Sequence, residues 1–383
     1  MYREREQRVT PLELFFDLVF VFAFTEVTTL LSHEPTWSGL GHGVLILAAL
    51  WWAWASYAWL TNAVDPEEGV VAAAMLAATA ALFVAALAVP SAFGRHGVLF
   101  GVAFLLVDVM FIALYALAAR GEPDLLTAVR GAAPSTLLGS ALIIGAGFVD
   151  GRLKAALWFA AIAVAFFGPL LGGMSGWRIH PAHFVERHGL IMIIAVGESV
   201  VAIGLGATGT ELTAGVIVAA VLGFAVATSF WLAYFDFFSI RAEQLLAERR
   251  GAERIALARD VYTYLHLPMV MGIVLFAFAM KVTLGHVGDE LDAVAAFCLC
   301  CGPALYLLAF VALRVRVSGS VGGGRFVAAI ACVLLFPVAL VVPALAALAL
   351  VAAVWVALHT YEIVWWREAR AQTRALRASA PAS

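Results

Sequence analysis

Charge is what this sequence lacks most. Of 383 residues only 13% are Asp, Glu, Lys or Arg, where an ordinary soluble domain carries about 25%. Hydrophobic residues make up 64%. So little polar surface cannot cover the outside of a water-soluble globule. That excludes a soluble enzyme and a disordered scaffold. With a net charge of −3 there is no basic excess to bind nucleic acid. Cysteine is also scarce. Cys298, Cys300, Cys301 and Cys332 all lie in apolar runs, which argues against a disulfide framework. There is no phosphate loop, and no dinucleotide fingerprint of strand, glycine turn and helix. Gly197-Glu198-Ser199 lacks the second glycine of a nucleophile elbow. No cofactor is expected, and the enzyme reading that stays open, a less favoured one, is a membrane-embedded enzyme acting on lipid or an isoprenoid with the His180–His188 stretch holding a metal. The first apolar run holds Asp17 and Glu26 and is followed by no small-residue cleavage site, so it reads as a retained span rather than a signal peptide.

Long hydrophobic runs are what the chain has in place of charge. A helix needs about 20 apolar residues to cross a bilayer. Candidate spans fall at 12–31, 43–61, 70–90, 97–118, 133–149, 155–173, 184–204, 213–237, 261–281, 291–313, 326–342 and 343–362. They are continuous and rich in Ala, Leu and Val, unlike the short alternating strands of a membrane barrel. The expected fold is an all-α polytopic membrane protein with about twelve transmembrane helices, in contact with the lipid bilayer. The stretch 326–362, with Pro337 and Pro343 inside it, would run about 55 Å as one helix, so it reads as two spans joined by a tight turn near Val342-Pro343. Placing the N-terminus inside puts nineteen of the 23 Lys and Arg residues on the cytoplasmic side, which predicts N-in/C-in. The charged stretch 239–260 reads as a cytoplasmic helix. Trp51, Trp52, Trp59, Trp177, Trp365 and Trp366 near span ends read as interfacial anchors.

Two halves are expected, 1–175 and 176–366, followed by a tail at 367–383. Each half opens with a span carrying a deep glutamate, Glu26 and Glu198. Each second span carries Trp-x-x-Tyr, Trp54 to Tyr57 and Trp231 to Tyr234. The order of these matches suggests two parallel six-helix repeats, an architecture that in transporters places the substrate site between the halves.

Ionisable residues inside spans are costly and usually mark a pathway or a buried partner. Asp17, Glu26, Asp108 and Glu198, with Ser199 beside the last, are candidates for coupling a proton or cation, or for binding a small solute. Each could equally fix helix packing through an Arg, Tyr or Trp donor, a reading that suits Asp108 best. Tyr57, Tyr234, Tyr262 and Tyr264 are possible donors. Glu13 and Asp17 share a helix face at i, i+4; with Glu186 and Arg187 they are candidates for a cytoplasmic gate of charge pairs. His183 and Glu186 would share a metal site if a helix begins near Pro181, although interfacial histidines at a helix start read as well.

Two blocks resemble one family. Leu12-Glu13-Leu14-Phe15-Phe16-Asp17-Leu18-Val19-Phe20 opens the first span. Glu186-Arg187-His188-Gly189-Leu190, followed by Gly197-Glu198-Ser199-Val200-Val201-Ala202, forms the second. Both are similar to motifs of the bacterial low temperature requirement A (LtrA) family, over about residues 8–370. The resemblance implies a multi-pass bacterial inner-membrane protein associated by name with growth in the cold. It implies importance for Glu13, Phe16, Asp17, Glu186, Arg187, Gly189, Gly197, Glu198 and Ser199, without assigning them roles. A coupled permease is one expectation; a non-transporting stress factor, sensor or scaffold is the other.

Overall fold

The computed structural model describes residues 8–171 and 176–365. The expected tail at 367–383 lies outside the described residues. The chain is all-helical: α1 (Pro11–His33), α2 (Trp37–Leu60), α3 (Gly69–Ala88), α4 (Gly97–Ala118), α5 (Pro123–Ala146), α6 (Gly151–Leu171), α7 (Pro181–Ala207), α8 (Ala214–Ala233), α9 (Ser239–Glu248), α10 (Gly251–Ala258), α11 (His266–Gly285), α12 (Ala293–Ser318), α13 (Gly323–Ala339) and α14 (Ala344–Trp365). Eleven helical segments among the described residues are long and apolar enough to cross a membrane, and α13, at 17 residues, is a shorter apolar helix. The stretch 326–362 is indeed two helices, parted between Ala339 and Ala344. No strand is present among the described residues.

Three expectations need correction. The fifth helix begins at Pro123, ten residues before the expected span, because Pro123 takes a first-turn position where its missing N–H costs nothing. Pro134 then lies inside it. The charged stretch 239–260 holds two helices, α9 and α10, parted at Arg249-Arg250; Gly251, which opens α10, has a φ of +53° that suits a residue without Cβ. Trp51, Trp52 and Trp59 are buried rather than interfacial.

The chain forms two compact units. The first comprises residues through Ile194 together with Arg249–Thr263; the second comprises Ala195–Glu248 and residues from Tyr264 onward. In the first unit α1 packs on α2 and α3, α4 lies against α3 and α5, and α2 reaches α4 and α6. A Cβ at Gly101 would meet the Ile144 backbone nitrogen at 2.9 Å, so glycine lets α4 and α5 approach closely. In the second unit α11 packs on α12, and α14 lies against α8 and α13. The four cysteines are free thiols in this unit.

Candidate functional site

The first unit brings together Glu13, Asp17, His183 and Arg187. Each is at most 2% exposed. The local sequence explains the placement. Thr10 caps α1: its hydroxyl accepts from the Glu13 N–H at 3.3 Å, while Glu13 Oε2 accepts from the Thr10 N–H at 2.9 Å, a complete capping box. Pro11 occupies the first turn. The cap fixes Glu13, and the i, i+4 spacing puts Asp17 one turn along the same face. On α7 the same spacing aligns His183 with Arg187. Asn62, just beyond α2, accepts the His180 N–H at 2.8 Å and ties down the start of α7.

Arg187 bridges both acids. Its Nη1 lies 2.9 Å from Glu13 Oε1, and its Nη2 donates to Asp17 Oδ1 at 2.8 Å. The Trp54 indole N–H donates to the same Asp17 oxygen at 2.8 Å, and the Arg187 guanidinium stands 5.9 Å from the Trp54 ring centre. His183 Nε2 is 3.1 Å from Glu13 Oε1. Asp17 Oδ2, His183 Nδ1 and Arg187 Nε are buried without a hydrogen-bond partner among the described residues.

An aromatic wall encloses the quartet. His188 meets the rings of Trp54, Phe184 and Tyr262 at centroid distances of 4.8, 4.5 and 4.8 Å. Its Nδ1 lies 2.8 Å from the Phe184 carbonyl oxygen, an acceptor, so Nδ1 carries the proton. A π-helical turn at Arg259–Tyr264 presents Thr263, whose carbonyl accepts from the Trp51 indole and whose hydroxyl accepts from that of Trp59, both at 2.8 Å. Of the tryptophans read as membrane anchors, Trp51 and Trp59 are therefore clamps on this turn.

The remaining sequence candidates lie elsewhere. Glu186 is exposed and accepts the Val9 N–H at 3.3 Å, while its neighbour Arg187 turns inward. His183 and Glu186 therefore face different surroundings, and no group of three or more His, Cys, Asp or Glu among the described residues is arranged to hold a metal. Glu26 is half-buried on α1. Glu198 and Ser199 are fully buried on the part of α7 that belongs to the second unit, where Ser199 Oγ has no hydrogen-bond partner among the described residues. Asp108 is buried and hydrogen-bonds with Ser140. Of the tyrosines proposed as carboxylate donors, Tyr57 donates instead to the Val107 carbonyl at 3.0 Å, and Tyr234 pairs with His266 at 2.9 Å. Residue patterns missed Asn62 and Ser140, single polar residues with no motif around them. They also missed that His183 pairs with Glu13.

The chain matches the family described as "Bacterial low temperature requirement A protein (LtrA)" over residues 8–360. The chain belongs to the LtrA family. A Rhizobium meliloti protein described as uncharacterized is 32% identical over 286 residues, covering 72% of this chain and 69% of that protein. No solved structure matches. Both resembling motifs feed the quartet, since α1 supplies Glu13 and Asp17 and the second block supplies Arg187. This LtrA-family chain is thus a multi-pass membrane protein with a buried charge cluster built from its two motif helices.

Proposed function

We propose that this LtrA protein is a proton- or cation-coupled secondary transporter for a small solute, seated in the bacterial inner membrane with both termini inside. The observation that carries the reading is the quartet itself. Four ionisable side chains within membrane-spanning helices are expensive to hold, and such groups commonly serve ion or proton pathways. The net charge of the quartet follows its proton count. With both carboxylates ionised it sums to one negative charge when His183 is neutral and to zero when His183 is protonated. Uptake of one proton would loosen the demand of Glu13 on Arg187 and let α1 and α7 shift against each other. Asp17 belongs to this gate, together with Glu13 and Arg187. Glu26 and Glu198 are the candidate solute- or ion-facing groups, related to each other by a six-plus-six duplication, with Ser199 beside the second.

Proteoliposomes with a trapped pH indicator test this against a panel of amino acids, sugars, organic acids, polyamines and inorganic ions. The wild type is expected to move protons with one solute class, and Glu13→Gln is expected to abolish that movement. Coupled movement unchanged in Glu13→Gln would remove the quartet from the mechanism. No coupled movement with any solute, together with low-temperature growth of a deletion strain restored by Glu13→Gln, would favour a stress factor, sensor or scaffold.

A further inference from the structure

A second polar site sits inside the first unit, away from the quartet. Asp108 is the twelfth residue of the 22-residue helix α4 and is 3% exposed. No Lys, Arg or His among the described residues lies within ion-pair distance of it. Its hydrogen-bond partner is the Ser140 hydroxyl of α5, itself fully buried. Ser140 Oγ also lies 3.5 Å from the Thr136 carbonyl one turn back, and the Thr136 hydroxyl donates to the Ala132 carbonyl at 3.1 Å. These groups border a void of ≈ 10 Å³ between α2, α4, α5 and α6, room for about one water-sized particle. The other walls are apolar, among them Trp52, Phe104, Ile143 and Ile162.

A bare carboxylate in such surroundings is prohibitively costly unless a positive charge accompanies it. The described residues offer none at this point. What they offer nearby is oxygen: the Ser140 hydroxyl on the carboxylate and, one turn back on α5, the Thr136 hydroxyl and carbonyl, atoms of the kind a hard cation takes. The groups that could compete are remote or uncharged. On α2 the nearby titratable group is Tyr57, whose hydroxyl is committed to the Val107 carbonyl. Helix α3 carries no ionisable residue. Asp124 and Arg130 of α5 are exposed. On α6, Lys154 is held by the Phe93 carbonyl and Asp150 at 2.9 and 3.0 Å.

We propose that Asp108, Ser140 and Thr136 form a site for one small monovalent cation, Na⁺ or H⁺, in the interior of the first unit. Asp108 neutralises the charge, and the hydroxyls complete the oxygen shell. When the ion is a proton, the acid donates to Ser140 and the Ser140 hydroxyl turns toward the Thr136 carbonyl. The site stands independently of the transport reading, because it concerns binding alone.

The test uses purified full-length protein in lipid nanodiscs, comparing wild type, Asp108→Asn and Ser140→Ala. Thermal stability and tryptophan fluorescence, with Trp52 in the wall as reporter, are followed as NaCl replaces choline chloride at constant ionic strength. Infrared spectra read the carboxylic-acid carbonyl band as pH is varied without Na⁺. A saturable Na⁺ response, lost in Asp108→Asn and shifted about tenfold in half-saturation by Ser140→Ala, one lost ligand's worth, identifies Na⁺. An acid band lost in Asp108→Asn and moved in frequency by Ser140→Ala identifies H⁺. Should Asp108→Asn fail to fold, Ser140→Ala carries both readouts. The proposal is overturned if wild type shows neither response, or if both persist unchanged in the variants. Any pH response of the quartet survives in Asp108→Asn and is subtracted by that comparison.

Discussion

At Arg187 one guanidinium serves two carboxylates that the sequence places 170 or more residues away. Removing it strands two buried anions, whereas removing both members of a pair does not. Arg187→Ala is therefore expected to destabilise the protein by about 3–5 kcal/mol, the usual cost of breaking a buried pair. Arg187→Lys should fall between that and wild type, because a single ammonium cannot reproduce the planar two-oxygen grip. Trp54→Phe keeps the ring but deletes the donor to Asp17, and should cost about 1.5–3 kcal/mol, the range for a hydrogen bond to a charged group. Thermal and denaturant unfolding in one detergent check all three. If Arg187→Ala proved no costlier than Trp54→Phe, the bridge would contribute little and the cluster would be held by packing alone. The i, i+4 pairing of Glu13 with Asp17 was legible from spacing. Arg187 was legible as their charge partner as well, and it is; His183 and the Trp54 donor were not, because hydropathy marks a residue as buried without naming the helix it meets. The aromatic wall and the donor from Trp54 arise from helices that the sequence treats as separate spans.

At the scale of elements, helix contacts in this chain rest on small residues. A Cβ at Gly272 on α11 would stand 2.5 Å from the Gly302 carbonyl oxygen on α12, and a Cβ at Gly302 would stand 2.7 Å from the Gly272 oxygen. Both obstacles are backbone and cannot rotate away. Gly272→Ala and Gly302→Ala are each expected to lower stability by about 1–3 kcal/mol through overpacking. The double variant should cost less than the sum, since one outward shift of α12 relieves both clashes. Gly197, whose added Cβ meets nothing within 4 Å, is the control, and Gly197→Ala should be close to neutral. Span lengths were legible because every backbone group in lipid must be satisfied within a helix, which writes each crossing as a continuous apolar run. The exceptions have local causes. Around Pro123 the helix starts in polar sequence, outside any hydropathy window. At 239–260 a helical charge pattern hid a break that only the positive φ of Gly251 reveals. The indole donors on Thr263 depend on a π-turn, which changes hydrogen bonding without changing composition.

At the scale of the whole molecule, the side of the membrane on which the chain finishes depends on α13. Its 17 residues span about 26 Å at 1.5 Å per residue, against roughly 30 Å of hydrocarbon. Local thinning of the bilayer can close that gap at modest cost. Arg325, near the start of α13, pairs with Glu362 on α14 at 2.7 Å, and the pair neutralises the charges nearest the shorter helix. Charge bias gives a sharper argument. Arg314 and Arg316 near the end of α12 and Arg325 at the start of α13 flank one loop, as basic residues flank cytoplasmic loops, while Val341, Val342 and Pro343 between α13 and α14 bring no charge. If α13 crosses, these two loops lie on opposite sides and both termini lie on the same side, which the charge bias predicts to be the inside. Val321 and Val341 are exposed and suited to probing each loop. In intact spheroplasts a membrane-impermeant maleimide is expected to label Val341→Cys and to leave Val321→Cys unlabelled until the membrane is opened. Labelling of both, or of neither, would mean that α13 turns back within one leaflet. The chain would then cross eleven times and place its two ends on opposite faces, and the parallel six-plus-six duplication would fail with it.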